Sequence, residues 1–320
     1  MILVLTSDND RTADRVVAEI VRRGKAVDRL DTAEFPRSIT VNATLQDGFG
    51  WHGRVETEHG QIRLDEIKAI YYRRPTSFLF PEDLTGSDLT FAAAEARRGF
   101  GGLLFSLRAR WVNHPSRVAD AEFKPTQLHV ATDCGLTIPR TLLTSDLRQA
   151  RIFCDTSERG VVYKPLSAAS IVQGDEVQLV YTSKLCSADL DDLDDVDVSS
   201  TMNLLQDWVP KRHDVRVTAI GRRLFGVAIH AASPEAYVDW RADYDSLSYT
   251  PIEVPKGVAN GIWAYMKYFD LLYGAFDFSV TDDDWYFLEC NANGQFGWLE
   301  AETGLPITSA IADLLVEETM

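Results

Sequence analysis

Apolar and polar residues follow two rhythms along this chain, and each change of rhythm marks an element. MILVL at the start is an unbroken apolar run of strand length, the pattern of a buried strand. TADRVVAEIVRRG, 12–24, carries apolar residues at helical spacing and stops at Gly24, so it reads as an amphipathic helix. AVDRL returns to strand, and this β-α-β opening predicts an α/β domain. TVNATLQDGFGWHGRVETEHGQIRL alternates around glycines and reads as hairpins. IKAIYY, 67–72, is a further buried strand with RRP at 73–75 directly after it. A helix is expected over roughly 87–109, and WVNHP, 111–115, closes the region as a short strand and loop.

A second α/β region follows. KPTQLHVATDCG predicts a short helix with Pro125 in its first turn and Gly135 at its end. TIPRTLLT reads as a strand, DLRQARIFCD as a helix, and GVVYKPL as a strand carrying Lys164; EVQLVYTSKL is expected to continue that sheet. The acidic run SADLDDLDDVDVSS, 187–200, reads as a solvated loop. Beyond it, strands are expected at LLQDWV, VRVTAIG, RLFGVAIH, GAFDFSV and WYFLEC, with helices near 256–273 and 306–318. These breaks divide the chain into domains at 1–115, 116–203 and 204–320.

The totals narrow the function. With 48 acidic against 32 basic residues the net charge is −16, which argues against nucleic acid or an anionic membrane as a main partner. MILVL is too short for a signal peptide or anchor, and no run approaches the roughly 20 apolar residues of a membrane span. Cys134, Cys154, Cys186 and Cys290 are scattered, without a CxxC pair. The expectation is a reduced, cytoplasmic protein without disulfides or zinc.

Candidate chemistry sits in three places. FLECNANGQFGWLE, 287–300, puts Glu289 and Asn291 two residues apart, on one face of a strand. If Asp277 pairs with Glu289 and Val280 with Tyr286, then Phe276, Phe278, Val280, Tyr286, Leu288 and Cys290 form an apolar face. Asp277, Glu289 and Asn291 then share the opposite face. Adjacent carboxylates repel unless a positive charge lies between them, and magnesium fits, since it takes oxygen ligands and leaves sites for phosphates. Lys164, in an otherwise apolar strand, and Lys124, at a helix start, are candidates for those phosphates, although either alone also fits a side chain reaching to water. In LLQDWVPKRHDVRVTAIG, 204–221, backbone groups of Gln206–Val209 suit an adenine edge, with Trp208 and Val209 beside the ring. Asp214 suits a ribose, and Arg216 a phosphate or carboxylate. GFGWHG, 48–53, matches a dinucleotide fingerprint by letter, but a hairpin context surrounds it, without the strand and helix that motif requires.

These pieces, in this order, resemble the ATP-grasp superfamily, and within it the graspetide synthetases that include the microviridin ligases. The likeness covers nearly the whole chain; YYRRP (71–75), QDWVPKRHDVRVTAIG, VDWR (238–241) and FLECNANGQFGWLE carry it. The chain departs from the family pattern at Ala292, where Pro is common, and at Asp207, where Glu is usual. The resemblance implies an α/β ATP-grasp fold, with a Rossmann-like pre-ATP-grasp domain, a central lid and a C-terminal ATP-grasp domain. It implies ATP and Mg2+ as cofactors. Lys124 and Lys164 become the phosphate lysines. Gln206, Asp207, Trp208 and Val209 become the adenine hinge, with Lys211 a further nucleotide contact and Asp214 the ribose acceptor. Asp277, Glu289 and Asn291 become the magnesium ligands, and SAASIVQGD, 167–175, the loop covering the phosphates. Arg216 and Arg241 would act on the reacting groups, while Arg73 and Arg74 would grip an acidic substrate. The implied substrate is a ribosomal precursor peptide with a leader and an acidic, Thr-rich core, closed through Asp or Glu side chains into esters or amides. A homodimer is implied as well. The alternative is an amino-acid ligase of the ribosomal-protein glutamate ligase type.

Overall fold

Four short strands, two of them the apolar runs ILVL and AIYY, form one parallel sheet, ordered Val27–Leu30, Ile2–Leu5, Ala69–Tyr72, Arg110–Val112. The computed structural model describes residues 1–46, 48, 50–167, 170–173 and 176–317, the strands at 170–173 and 176–179 by backbone alone. The helix Arg11–Arg22 follows the first strand and buries Ala13, Val16 and Ile20. Asp10 caps it by accepting from the N–H groups of Thr12 and Ala13, which satisfies two of the first-turn donors. Strands Thr40–Gln46, Gly50–Thr57 and Gly60–Arg63 form a separate antiparallel sheet. Gly53 lies in it at φ +145°, and a Cβ there would meet the Asn42 carbonyl oxygen at 2.0 Å. Gly53 therefore serves close strand approach, while Gly48 and Gly50 take the positive φ of the turn; Phe49 of that motif lies outside the described residues. The helix expected over 87–109 runs Gly86–Ala96, widens into a π-helical turn at Arg97–Gly101, and resumes at Gly102–Phe105. Gly99, Gly101 and Gly102, poor helix formers, loosen that stretch.

Contacts gather the chain into two compact units. The first holds Met1–Ala119, Asp270–Gly274 and the chain from Ala292 onward; the second holds Asp120–Phe269 and Ala275–Asn291. The segments read from sequence as 116–203 and 204–320 thus share the second unit over most of their length.

Within the second unit one sheet is ordered Ser183–Leu185, Val161–Lys164, Asn203–Asp207, Thr141–Thr144. Here EVQLVYTSKL departs from expectation. Glu176–Leu179 pairs with Ser170–Gln173 in a hairpin of its own, and only Ser183–Leu185 joins the sheet. SAASIVQGD falls on this hairpin, but 168–169 and 174–175 lie outside the described residues. The acidic run is partly ordered: Asp194 caps a short helix, Asp195–Ser199, because an aspartate before a helix answers its free N–H groups.

The other sheet has five strands, ordered Leu247–Ile252, Arg223–Ala231, His213–Ile220, Tyr273–Val280, Trp285–Asn291. Leu247–Ile252 was not expected; it is a mostly polar edge strand that tolerates Pro251. Asp277 does pair with Glu289 and Phe276 with Cys290, but a bulge follows. Beyond it Phe278 pairs with Phe287 and Val280 with Trp285, so the expected Val280–Tyr286 pairing is one residue out. The inserted residue, Leu288, turns to a cavity, while Phe287 joins Phe276 and Phe278 in the core.

Candidate active site

The second unit encloses a cavity whose lining includes Lys164, Gln206, Asp214, Arg241, Asp277 and Glu289. At one end lies the Asp277–Glu289 strand pair, and each carboxylate meets cations. Arg216 grips Asp277 through two parallel bonds, Nε to Oδ1 at 2.8 Å and Nη2 to Oδ2 at 2.6 Å, with both side chains buried. Its guanidinium also stacks over the Trp240 ring at 4.9 Å. Glu289 takes Lys124 Nζ at 3.3 Å and Arg241 Nη1 at 3.2 Å. Burial alone raises the Glu289 carboxyl, but Lys124, Arg241, Lys164 and Arg216 together drive it well below the ordinary range.

Lys164 ends its strand in the same field. Burial pulls its ammonium down to about 8, helped by the like charges of Lys124 and Arg241 and opposed by Glu289. Lys124 is anchored by donating to the Pro165 carbonyl at 2.6 Å, which ties its helix start to the Lys164 strand.

Arg241 is held by a residue the sequence reading passed over. Asp239, buried, accepts from Arg241 Nε at 2.9 Å and Nη2 at 2.8 Å, and from the Thr182 N–H at 3.1 Å. Burial raises its carboxyl, yet these bonds hold it far below the ordinary value. Gln127 was missed too. Its carboxamide donates to the Ala121 and Cys290 carbonyls and accepts from the Cys290 N–H, which fixes the strand end between Glu289 and Asn291. Gln127 has no local sequence signal, because it acts across a long chain separation, whereas Asp239 lies two residues from Arg241 within VDWR, where the spacing could have pointed to it.

The other end of the cavity is the 206–214 stretch. The Asp207 N–H donates to the Arg140 carbonyl and the Trp208 N–H to the Gly160 carbonyl, so the protein itself uses these two hinge groups. The Val209 N–H has no partner among the described residues. Asp207 faces Arg140 in a bidentate pair at 3.0 Å for both bonds. Trp208 lies under Lys184 Nζ at 4.7 Å and against Tyr237. Asp214 accepts from Lys211 at 2.6 Å and from Ser279 at 2.9 Å; burial nevertheless raises its carboxyl, outweighing Lys211.

Asn291 follows Glu289 on the same strand face and is exposed. Arg73 and Arg74 belong to the first unit and diverge. Arg73 is 2% exposed, paired with Asp10 at 3.3 Å and donating to the Asn293 and Gly294 carbonyls and to Gln295 Oε1. Pointed inward, it clamps the 293–295 turn and is not placed to grip a peptide. Arg74 is exposed and lines a groove with Arg11, Arg15 and Trp298.

Residues 1–119 match the family model of the MvdD pre-ATP grasp domain. The macrocyclase MdnC of Microcystis aeruginosa MRC, solved bound with precursor peptide MdnA, is 31% identical at a TM-score of 0.85, over 99% of this chain and 99% of that one. The chain belongs to the ATP-grasp macrocyclase family. A Chryseobacterium gregarium RiPP-associated ATP-grasp ligase, in complex with ADP and a leader and core peptide, is 29% identical at a TM-score of 0.90, over 98% of this chain and 96% of that one. The ATP-grasp ligase PsnB, 23% identical over 98% of this chain and 97% of its own at a TM-score of 0.78, shares the fold. No curated protein matches. The cavity lies between the strand ending in Lys164 and the sheet bearing Asp277 and Glu289. No helix among the described residues is long and apolar enough to cross a membrane.

Proposed function

We propose that this chain is an ATP-dependent peptide macrocyclase. It activates Asp or Glu side chains of a ribosomally made precursor peptide and joins them to Ser or Thr hydroxyls, or to Lys amines. One observation carries the reading. In a chain of net charge −16, Lys124, Lys164, Arg216 and Arg241 converge on only three carboxylates, Asp239, Asp277 and Glu289. Positive charge is left over where the rest of the molecule is acidic, which suits a polyphosphate and an acidic substrate together.

Asp277, Glu289 and Asn291 would hold magnesium through side-chain oxygens, in exchange for the bonds from Arg216, Lys124 and Arg241 that now occupy the two carboxylates, which are strand neighbours. When bound, magnesium neutralises charge on the nucleotide's phosphate oxygens. Lys124 and Lys164 draw the phosphate chain, and Arg241, held by Asp239, steadies the reacting carboxylate. That carboxylate attacks the terminal phosphorus of ATP and ADP departs, leaving an acyl phosphate. A hydroxyl or amine of the same peptide then attacks the acyl carbon; the bond to phosphate breaks, phosphate leaves, and the nucleophile's proton is released. Holding these groups in line is the protein's main contribution. The Val209 N–H and the Gln206 side chain suit the adenine edge, Trp208 its face, and Lys211 and Asp214 the ribose side. Arg74, exposed on a groove, is the arginine that meets acidic residues of the peptide in this reading. An enzyme consuming ATP and a newly made peptide works in the cytoplasm.

The test takes a short acidic, Thr-rich open reading frame, sought beside the gene, as the source of the peptide. Incubated with the chain, ATP and magnesium, it should lose the mass of one water per ring. A gain in amino-acid steps would overturn this reading in favour of an amino-acid ligase.

A further inference from the structure

Gln206 is 1% exposed and lines the cavity, and its carboxamide is only half answered. Nε2 donates to Thr141 Oγ1 at 2.9 Å. Oε1 meets no donor among the described residues, yet it is not among the sealed, unpartnered atoms of the interior. It therefore opens on the cavity. A carboxamide is nearly symmetric in shape, so its neighbours decide which end faces where.

Thr141 makes that decision. It is the cross-strand partner of Gln206, and its hydroxyl donates to the Pro139 carbonyl at 2.8 Å. A hydroxyl has one hydrogen, so toward Gln206 it can only accept. An acceptor at that point demands the NH2 end of the carboxamide and leaves the oxygen facing the cavity. The Val209 N–H, three residues on and also on the cavity wall, offers a donor. Adenine presents a donor at its 6-amino group and an acceptor at N1; guanine presents the reverse at both positions.

We propose that Thr141 is a positioning residue that sets base selectivity, locking the Gln206 amide so that the site accepts a 6-amino purine and rejects a 6-oxo purine. The inference rests on the nucleotide reading above and extends it to a residue that touches no ligand.

The experiment is calorimetric titration of the full chain with ADP and with GDP, in magnesium. Wild type should prefer ADP by about 100-fold, each reversed hydrogen bond being worth roughly tenfold. Thr141→Val should narrow that preference about tenfold, since the amide is then free to turn. Thr141→Ser, which keeps the hydroxyl, should retain it. In a Gln206→Glu background, where both ends are oxygen, Thr141→Val should leave the preference unchanged. Thr141→Ala replaces the valine variant should that one fail to fold. An unaltered ADP preference in Thr141→Val or Thr141→Ala, or an equal loss in the Gln206→Glu background, overturns the proposal while leaving the nucleotide site intact. Binding of neither nucleotide by wild type overturns the nucleotide reading itself.

Discussion

Asp277→Ala is the obvious test of a metal ligand, but the structure changes what that test reports. Asp277 answers two donors of Arg216, and each side chain is only 8% exposed. Removing the carboxylate takes two charge-assisted bonds from a buried guanidinium, which costs about 3–5 kcal/mol. Against a total stability of about 5–15 kcal/mol that is a large share. At roughly 2–4 °C per kcal/mol for a unit of this size, melting should fall by about 6–20 °C. Arg216→Met should cost a similar amount by stranding Asp277. Asp277→Asn keeps the shape and one acceptor, so its cost is expected nearer 1–3 kcal/mol, about that of one unsatisfied group. The double variant Arg216→Met/Asp277→Leu exchanges the pair for packed apolar groups and should recover most of the loss. The assay is thermal and urea melting of these four variants and of Asp277→Leu, which with Arg216→Met and the double variant closes a double-mutant cycle. Losses that simply add, or an Asp277→Ala melt within about 1 °C of wild type, would refute the buried-pair argument. It follows that lost activity in Asp277→Ala does not by itself identify a metal ligand, and Asp277→Asn is the variant to assay.

Other predictions concern the rest of the framework. Lys164, pulled down to about 8 in the ligand-free chain, is charged below that pH and neutral above it. ADP affinity should therefore hold up to about pH 8 and weaken above it, and Lys164→Met should bind weakly with no such inflection; an unchanged profile in that variant would assign the titration elsewhere. In the first unit burial raises the Asp10 carboxyl, but Arg73, the Ala13 N–H and Thr6 bring it below its ordinary 3.8. A lowered folded-state value means Asp10 stabilises fully above the unfolded value and loses that contribution as pH falls through the folded one. Asp10→Ala should cost about 3–5 kcal/mol at neutral pH by removing the counter-charge of buried Arg73, and a urea midpoint equal to wild type would contradict this. Gln127→Ala, which leaves the Cys290 N–H unanswered, should cost about 1–3 kcal/mol and weaken ADP binding in magnesium. If it loses stability with affinity unchanged, Gln127 does not position Glu289.

Much of the site can be read from single residues that contradict their surroundings. Lys164 is a cation in an apolar strand, and Glu289 and Asn291 are polar groups at strand spacing where an apolar run ends; such conflicts are visible without partners. The parallel sheet is legible for the same reason, since buried runs such as MILVL and IKAIYY have few alternatives. What stays hidden depends on register between distant segments. The bulge after Asp277 has no signature, so the pairing of Val280 lies one residue from where alternation puts it. Asp239 near Thr182, and Gln127 at Cys290, are meetings that only the assembled sheet produces. Arg73 and Arg74 show the limit from the other side. Adjacent and chemically identical, they separate because one faces Asp10 and the other solvent.

The central claim is that ATP activates a peptide side-chain carboxylate as an acyl phosphate in the cavity bearing Lys124, Lys164, Asp277 and Glu289. Phosphate released from a precursor carrying heavy-isotope oxygen in its Asp and Glu side chains tests it directly, by mass spectrometry during turnover. The account predicts ADP, and one labelled oxygen in the phosphate for every ring closed. Rings closing with unlabelled phosphate, or with AMP and pyrophosphate as products, would contradict it.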